Sequence, residues 1–199
     1  MKKFDNKMVV DNGESDLAPA WYVQIVAQET EKFIQAAAES GSVVAQRVLV
    51  SRLLGLQYLP EDDAEAAQSM QAAADAGDHF AQYALGAFYY LGRGVAQSST
   101  QAVKYWRIAA EQGSVCAMHL MGVAYGAGFG TGKDSRAAAR WFRKAAEQGH
   151  AVSQSLLGDA YAAGRGVKKD LAEAKKWYAL AAAQGYEEAR DELKNLQGE

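Results

Sequence analysis

The sequence predicts an all-α fold, an α-solenoid of about four to five helix-turn-helix repeats of 36 residues each. The first observation is a set of related segments, such as AAEQG at 109–113 and again at 145–149, each ending in glycine. These glycines are 36 residues apart: Gly41, Gly77, Gly113, Gly149 and Gly185. A fixed period of this length is typical of stacked repeats. The second observation is composition, because alanine is abundant and proline occurs only at Pro19 and Pro60, which favours helices throughout.

The period also sets the organisation of the chain. We expect an N-terminal tail over 1–17 and one solenoid over 18–199. Within the solenoid the expected units are a leading helix at 20–39, repeats at about 41–76, 77–112, 113–148 and 149–184, and a capping helix at 186–197.

Each repeat is predicted to contain two helices. In the second repeat Ala81, Leu85 and Tyr89 share one side at helical spacing, which indicates a first helix of about 78–91. Gly92 should end that helix in a left-handed conformation. The second helices should begin at a column, meaning positions 36 residues apart, that contains good N-cap residues: Asp62, Ser98, Asp134 and Asp170. Three of the four have Glu or Gln three residues later, which predicts a capping box.

Side-chain size predicts how the two helices of a repeat pack. Gly86, Gly122 and Gly158 form a column in the middle of the first helices. A glycine there costs about 1 kcal/mol of helix stability, so we expect it to permit a close approach of the second helix. Two aromatic columns should fill the space beside it as core. They are Tyr89, Tyr125 and Tyr161 on first helices, and Met70, Trp106, Phe142 and Tyr178 on second helices.

The stretch GAGFGTGKDS at 126–135 raises the possibility of a phosphate-binding loop. The pattern G-x-x-x-x-G-K-[ST] fails, because Ala127 replaces its first glycine and Asp134 replaces the hydroxyl residue. No strand-like run precedes the glycines, as that site would require. We therefore interpret the glycines as part of the turn between helices, and expect no nucleotide and no other cofactor.

Composition argues against several classes of function. The formal net charge is −3 and Lys and Arg are spread along the chain, so we expect no nucleic-acid partner. No apolar run approaches the roughly 18 residues of a membrane span, and the first residues lack the apolar core of a signal peptide. The single cysteine, Cys116, gives no internal disulfide. A cytoplasmic location is the expectation.

The repeat pattern resembles that of the Sel1-like repeat, a relative of the tetratricopeptide repeat. The matching segments are AQYALGAFYYLGRGV at 81–95 and SQSLLGDAYAAGRGV at 153–167, and the resemblance covers about 20–199. The first copy departs from the pattern at Val50, Leu56 and Tyr58, so a different path is expected for the loop at 55–61. The resemblance implies a right-handed superhelix whose first helices line a concave groove, in proteins that mostly act as adaptors or scaffolds.

The groove face is found by subtraction, as the positions on the first helices that the packing columns leave free. On the second repeat's first helix it contains Phe80, Tyr83 and Tyr90, on the side opposite Leu85 and Tyr89. Steps of 36 residues extend it along the chain, and the residues expected to bind a partner are Arg47, Phe80, Tyr83, Tyr90, His119, Asp159 and Asp191. Such a groove would be aromatic and basic early and acidic late, and aromatic residues beside arginine are enriched at protein interfaces.

Three classes of function follow, and the leading one is a scaffold that binds a partner protein or peptide in the groove. A specialised alternative is a cytoplasmic inhibitor, or immunity protein, that neutralises a bacterial toxin. The third is a hydrolase using Cys116 and His119, which the absence of an orienting acid in the pattern disfavours. We therefore predict no catalytic residue and no enzyme activity. His119 has no second His or carboxylate four residues later on its helix, so no metal site is predicted either.

Overall fold

In the computed structural model, residues 60–197 are described, and within that range the chain forms eight α-helices and no strand. The helices are α1 (Pro60–Asp75), α2 (His79–Leu91), α3 (Ser99–Glu111), α4 (Val115–Ala127), α5 (Ser135–Glu147), α6 (Ala151–Ala163), α7 (Leu171–Ala183) and α8 (Glu187–Gln197). The all-α prediction is confirmed for this part of the chain. The predicted tail at 1–17, the leading helix at 20–39 and nearly all of the loop at 55–61 lie outside the described residues.

The helices pack in the order in which they follow one another. The first helices α2, α4 and α6 pack most extensively on the second helices α3, α5 and α7 of the same repeat. Each second helix then packs on the next first helix, and α8 packs on α7. This serial packing is that of an α-solenoid.

Glycines end the first helices, as the sequence predicts. Gly92, Gly128 and Gly164 are left-handed caps, with φ of 68°, 87° and 70°. Gly130 serves a different purpose in the run at 126–135. A Cβ atom on Gly130 would lie 2.2 Å from the carbonyl oxygen of Ser99, at the start of α3. The glycine-rich loop therefore packs directly on the backbone of the preceding repeat.

The second helices begin with the predicted caps at three of four positions. Side chains of Ser98, Asp134 and Asp170 accept hydrogen bonds from backbone N–H groups of the first turn. The Asp134 cap lowers the pKa of that carboxyl, chiefly through the N–H of Ala137. The prediction for Asp62 is wrong, because α1 already begins at Pro60, a residue whose fixed φ suits the first turn of a helix.

The second half of the predicted capping box is also wrong. In a capping box the N-cap N–H is taken by the side chain three residues later. Here the N–H of Ser98, Asp134 and Asp170 donates instead to a carbonyl oxygen on the first helix of the same repeat. The acceptors are Tyr89, Tyr125 and Tyr161, at 2.8, 2.9 and 3.0 Å. The loop is thus closed by a backbone hydrogen bond between its two helices.

The predicted close approach within each repeat is confirmed. A Cβ atom on Gly122 would lie 2.5 Å from the ring of Phe142, closer than any real contact of that kind. The same is true of Gly86 against Trp106 at 2.5 Å and of Gly158 against Tyr178 at 2.6 Å. Each mid-helix glycine therefore seats a buried aromatic ring from the second helix.

Glutamine side chains join successive repeats. The Nε2 of Gln82 donates to the carbonyl oxygen of Ala74 at the end of α1, and its Oε1 accepts from Gln112. Gln154 repeats both bonds with Ala146 and Gln184. The equivalent residue between them is Met118, whose sulfur receives the amide of Gln148 at 3.3 Å. Because a thioether sulfur cannot donate, Met118 cannot make the bond to the preceding helix end.

Substituting Gly122 with Ala should destabilise the protein by about 1 to 3 kcal/mol, since the new methyl group would overlap the Phe142 ring. Gly126 is the matched control, because a Cβ atom there meets only the Cβ of Ala138 at 3.8 Å. Gly126→Ala should be neutral or stabilise by up to about 1 kcal/mol through helix propensity. Thermal unfolding followed by circular dichroism measures both. Equal effects of the two substitutions would contradict the packing described here.

Met118→Gln should stabilise the protein by about 0.5 to 1.5 kcal/mol, because the new amide can bond the end of α3 as Gln82 and Gln154 bond theirs. The reverse change, Gln154→Met, should cost about 0.5 to 1.5 kcal/mol, because it removes one of two hydrogen bonds to the carbonyl of Ala146, which keeps the bond from the N–H of Gly149. Urea unfolding of both variants provides the comparison. Destabilisation by Met118→Gln would show that the third repeat cannot form the hydrogen bonds that Gln82 and Gln154 make.

Candidate partner-binding site

The early part of the predicted groove face is buried. Tyr83 is 0% exposed and Tyr90 is 1% exposed, and both belong to the main hydrophobic core. The backbone carbonyl of Tyr83 accepts a hydrogen bond from the indole of Trp106, and the Tyr90 ring lies 5.6 Å from the Trp106 ring. The prediction that these two rings are available to a partner is therefore wrong: the face opposite the packing columns also takes part in the core. That these residues contact a partner stays a prediction.

The tyrosine predicted to be core is the more accessible one. Tyr89 is only partly buried, and its ring stacks on Tyr105 with 5.6 Å between centroids and 7° between planes. Tyr125 and Tyr161 are likewise partly buried, and their hydroxyl groups accept from Arg107 and Arg143 on the preceding second helix. This column therefore forms a partly solvated seam between repeats.

His119 is also buried, at 1% exposure, and is not an open groove residue as predicted. Its Nδ1 lies 3.0 Å from the hydroxyl oxygen of Ser153 on the next first helix, and its ring lies 5.9 Å from Phe142. Ser153 also lies 3.0 Å from Nδ1 of His150, whose ring is 4.7 Å from that of His119. The polar imidazole of His119 therefore contacts the following repeat through Ser153.

Sequence reasoning missed the part of His150 in this group. His150 is the N-cap of α6, and its Nδ1 accepts from the backbone N–H of Ser153. The signal was present, because the same column contains Asp78 and Ser114, which are the N-caps of α2 and α4. An imidazole nitrogen that accepts in this way must be unprotonated.

Two further residues were predicted for the beginning of the face. Phe80 is partly buried, packs against the core and contacts the ring of His79 at 4.1 Å. Arg47 lies outside the described residues. The structure thus brings Phe80, Tyr83 and Tyr90 together around the core, while His119 is engaged one repeat later.

The late part of the face differs, and it is centred on Asp159. This carboxyl group is partly buried on α6 and accepts a hydrogen bond from the hydroxyl of Tyr178 at 2.6 Å. Burial raises the pKa of Asp159, and Glu192 adds to that effect, whereas Tyr178 and Arg165 oppose it. Burial, together with the same carboxyl, raises the pKa of Tyr178. Asp159 therefore ionises at a cost to the folded state.

The capping helix α8 adds more acidic groups beside Asp159. Burial raises the pKa of Tyr186 to about 12, and Glu188 and Asp159 contribute to the increase. Glu188, Asp191 and Glu192 are exposed on this helix, and Asp191 makes an ion pair with Lys194 at 3.4 Å. The columns of the groove face contain Asp159 and Asp191. They do not contain Tyr178, Tyr186 or Glu192, which reach this site through contacts between helices.

Of the two residues in the disfavoured hydrolase alternative, Cys116 is partly buried and His119 is buried. The Nδ1 of His119 lies 3.0 Å from the hydroxyl oxygen of Ser153. Among residues 60–197 no three His, Cys, Asp or Glu side chains are grouped so that they could hold a metal ion. Over the same residues, no helix has both the length and the apolar character needed to span a membrane.

Comparison with known proteins identifies the repeats. The model of the Sel1 repeat matches residues 50–78, 79–114, 117–150 and 151–186. The chain belongs to the Sel1 repeat family. Proteins with these repeats generally act as scaffolds for protein interactions and are typically non-catalytic. No curated protein matches the chain.

Solved structures with Sel1 repeats support the same fold. A Sel1 repeat protein from Oxalobacter formigenes is 40% identical with a TM-score of 0.61, over 64% of this chain and 96% of that one. Another is c5321, a protective antigen present in uropathogenic Escherichia coli strains, at 37% identity and a TM-score of 0.70. The match covers 82% of this chain but only 35% of that longer protein. Cysteine-rich protein B of Helicobacter pylori is 26% identical with a TM-score of 0.53, over 67% of this chain and 96% of that one.

Removal of the buried ring in Tyr90→Ala should cost about 3 to 5 kcal/mol of stability, as expected for a core aromatic. Tyr89→Ala should cost clearly less, because part of its ring already faces solvent. Thermal unfolding of the two variants ranks the positions. A larger loss of stability for Tyr89→Ala would support the sequence-based assignment of Tyr89 to the core and Tyr90 to the groove face.

Proposed function

We propose that this protein is an interaction scaffold that binds a basic segment of a partner protein at the acidic end of its groove face. The observation that carries the proposal is Asp159, a partly buried carboxyl group whose ionisation costs stability. A group kept at a cost to stability is a common mark of a functional position.

The surroundings of Asp159 favour a cationic ligand. Its Oδ1 already accepts from Tyr178, and none of the described residues 60–197 donates a hydrogen bond to Oδ2. Glu192 raises its pKa further, so a Lys or Arg side chain arriving there would relieve the repulsion between the two carboxylates. Exposed Glu188 on α8 would add attraction at longer range.

Access also favours the late end of the face. Tyr83, Tyr90 and His119 are buried, whereas Asp159 and Ala162 are partly exposed and the α8 residues are exposed. A partner would therefore engage α6 and α8 first. A toxin with a basic working surface would be one such partner, and the proposal requires no catalytic group and no cofactor.

The test is affinity capture from the native cell, followed by direct measurement of binding to the protein recovered. Glu192→Gln should weaken binding about tenfold if the partner contributes a cation here. Glu173→Gln is the control, because it removes a partly exposed carboxylate that pairs with Lys176 on α7, outside the groove face. Equal losses for both variants would reject a site at Asp159, and unchanged binding for both would place the partner elsewhere.

Asp159→Asn should separate stability from binding. The pKa of Asp159 is raised on folding, so its contribution to stability is retained in acid and lost as pH rises through the folded pKa. Asparagine cannot ionise and can still accept from Tyr178, so the variant should unfold at a higher temperature than wild type at pH 7. The difference should disappear as pH falls below the ordinary Asp range. Binding to the captured partner should weaken, and a variant that is less stable at pH 7 would refute this reading of Asp159.

A further inference from the structure

The outer face of α5 carries a group of cations from Arg136 to Lys144, and the exposed Glu147 follows them on the same side. Arg136, Arg140, Arg143 and Lys144 are all exposed, and positions 136, 140 and 143 follow one another at helical spacing. The buried side of the helix is Ala137, Ala138, Phe142 and their neighbours. The expectation that Lys and Arg are spread along the chain misses this helix, where folding collects four of them on one side.

Within the part of the chain that the structure describes, no carboxylate forms an ion pair with these cations. The ion pairs found within residues 60–197 are Lys176–Glu173, Arg190–Glu187 and Lys194–Asp191, all on α7 and α8. Asp134 lies nearby, but its Oδ1 caps the helix by accepting from the N–H groups of Arg136 and Ala137. Its pKa is lowered chiefly by Ala137, and the arginines contribute less.

Aromatic rings hold part of this face in place. Lys144 lies over the ring of Trp141 at 4.2 Å, and Trp141 is partly exposed. Arg143 lies over the ring of Tyr161 and donates to its hydroxyl group. Arg143 is thus positioned by the protein, whereas Arg136 and Arg140 extend into solvent. Arginine and tryptophan are the residues most enriched at binding hot spots.

The repeat itself provides an internal comparison. The positions equivalent to Arg136, Arg140, Arg143 and Lys144 are Thr100, Lys104, Arg107 and Ile108 on α3, and Ala172, Lys176, Ala179 and Leu180 on α7. The scaffold therefore does not require four cations at this place. Their concentration on α5 is a property of this helix alone among the three.

We propose that the outer face of α5 is a second docking surface, which binds an acidic helix of a partner protein. The cations span positions 136 to 144, about 12 Å along the axis, which matches two turns of a helix presenting carboxylates three or four residues apart. The guanidinium groups of arginine suit paired bonds to carboxylates. The net charge of the protein is −3, and α5 alone among α3, α5 and α7 carries such a group, so the surface suits a short acidic segment better than an extended polyanion. This surface lies on α5, the second helix of its repeat, whereas the groove face lies on first helices, so the two proposals are independent.

The test uses a fluorescent helical peptide of about 18 residues, with glutamates along one face, and measures its binding by anisotropy at low salt. A control peptide carries glutamine at the same positions. Wild type should bind the glutamate peptide and not the control. Arg136→Glu/Arg140→Glu should weaken binding at least about tenfold.

The matched control is Lys104→Glu/Lys176→Glu, which changes the net charge equally on the two neighbouring second helices. This double variant should bind the glutamate peptide within about twofold of wild type. Glu192→Gln should also leave peptide binding unchanged, which separates this surface from the groove. Circular dichroism checks that each variant is folded. Equal losses in the two double variants, or no binding by wild type, would overturn the proposal. Tighter binding of a single-stranded oligonucleotide or an anionic vesicle through the same arginines would also overturn it.

Discussion

An aromatic ring seated on a helical glycine is the contact on which each repeat depends. Phe142 and Gly122 form the simplest example, since the Phe142 ring lies 2.5 Å from the position that a Cβ atom on residue 122 would take. Trp106 on Gly86 and Tyr178 on Gly158 repeat the contact with different rings, so the missing Cβ matters more than the identity of the aromatic. The glycine lowers helix propensity, and the buried ring offsets that cost by bringing the two helices close together.

The next level of order is the joint between repeats, and it is built mostly from backbone groups. The loop glycines Gly130 and Gly166 approach the backbone at the start of the preceding second helix, at Ser99 and Ser135. Gln82 and Gln154 bond the carbonyl oxygens at the end of the preceding second helix. Because these contacts use backbone atoms, they tolerate variation in the surrounding side chains. That leaves exposed positions, such as those on α5 and α8, free to differ from repeat to repeat.

The 36-residue period predicted much of this fold, because the features that define it recur at fixed positions. Glycine caps, N-caps and the ring-on-glycine contact all belong to columns that are visible in one sequence. The assignment of Tyr83, Tyr90 and His119 to an open surface failed for a physical reason. A first helix packs on its own second helix and on its neighbours, so a residue outside one packing column can still be buried in another contact. Asp159 was identified by its column, but its raised pKa comes from burial and, to a lesser extent, from Glu192 on another helix, which no column reports. The cations of α5 were missed because the composition of the whole chain does not show that folding places them on one side.

The most direct test of the central claim is a double-mutant cycle between Gly122 and Phe142, measured by urea unfolding. If the ring is what a Cβ atom would strike, Gly122→Ala should cost much less in a Phe142→Leu background than in wild type. The coupling between the two sites should then be about 1 kcal/mol or more. The same cost in both backgrounds would contradict the account, because the glycine would then serve some purpose other than seating the ring.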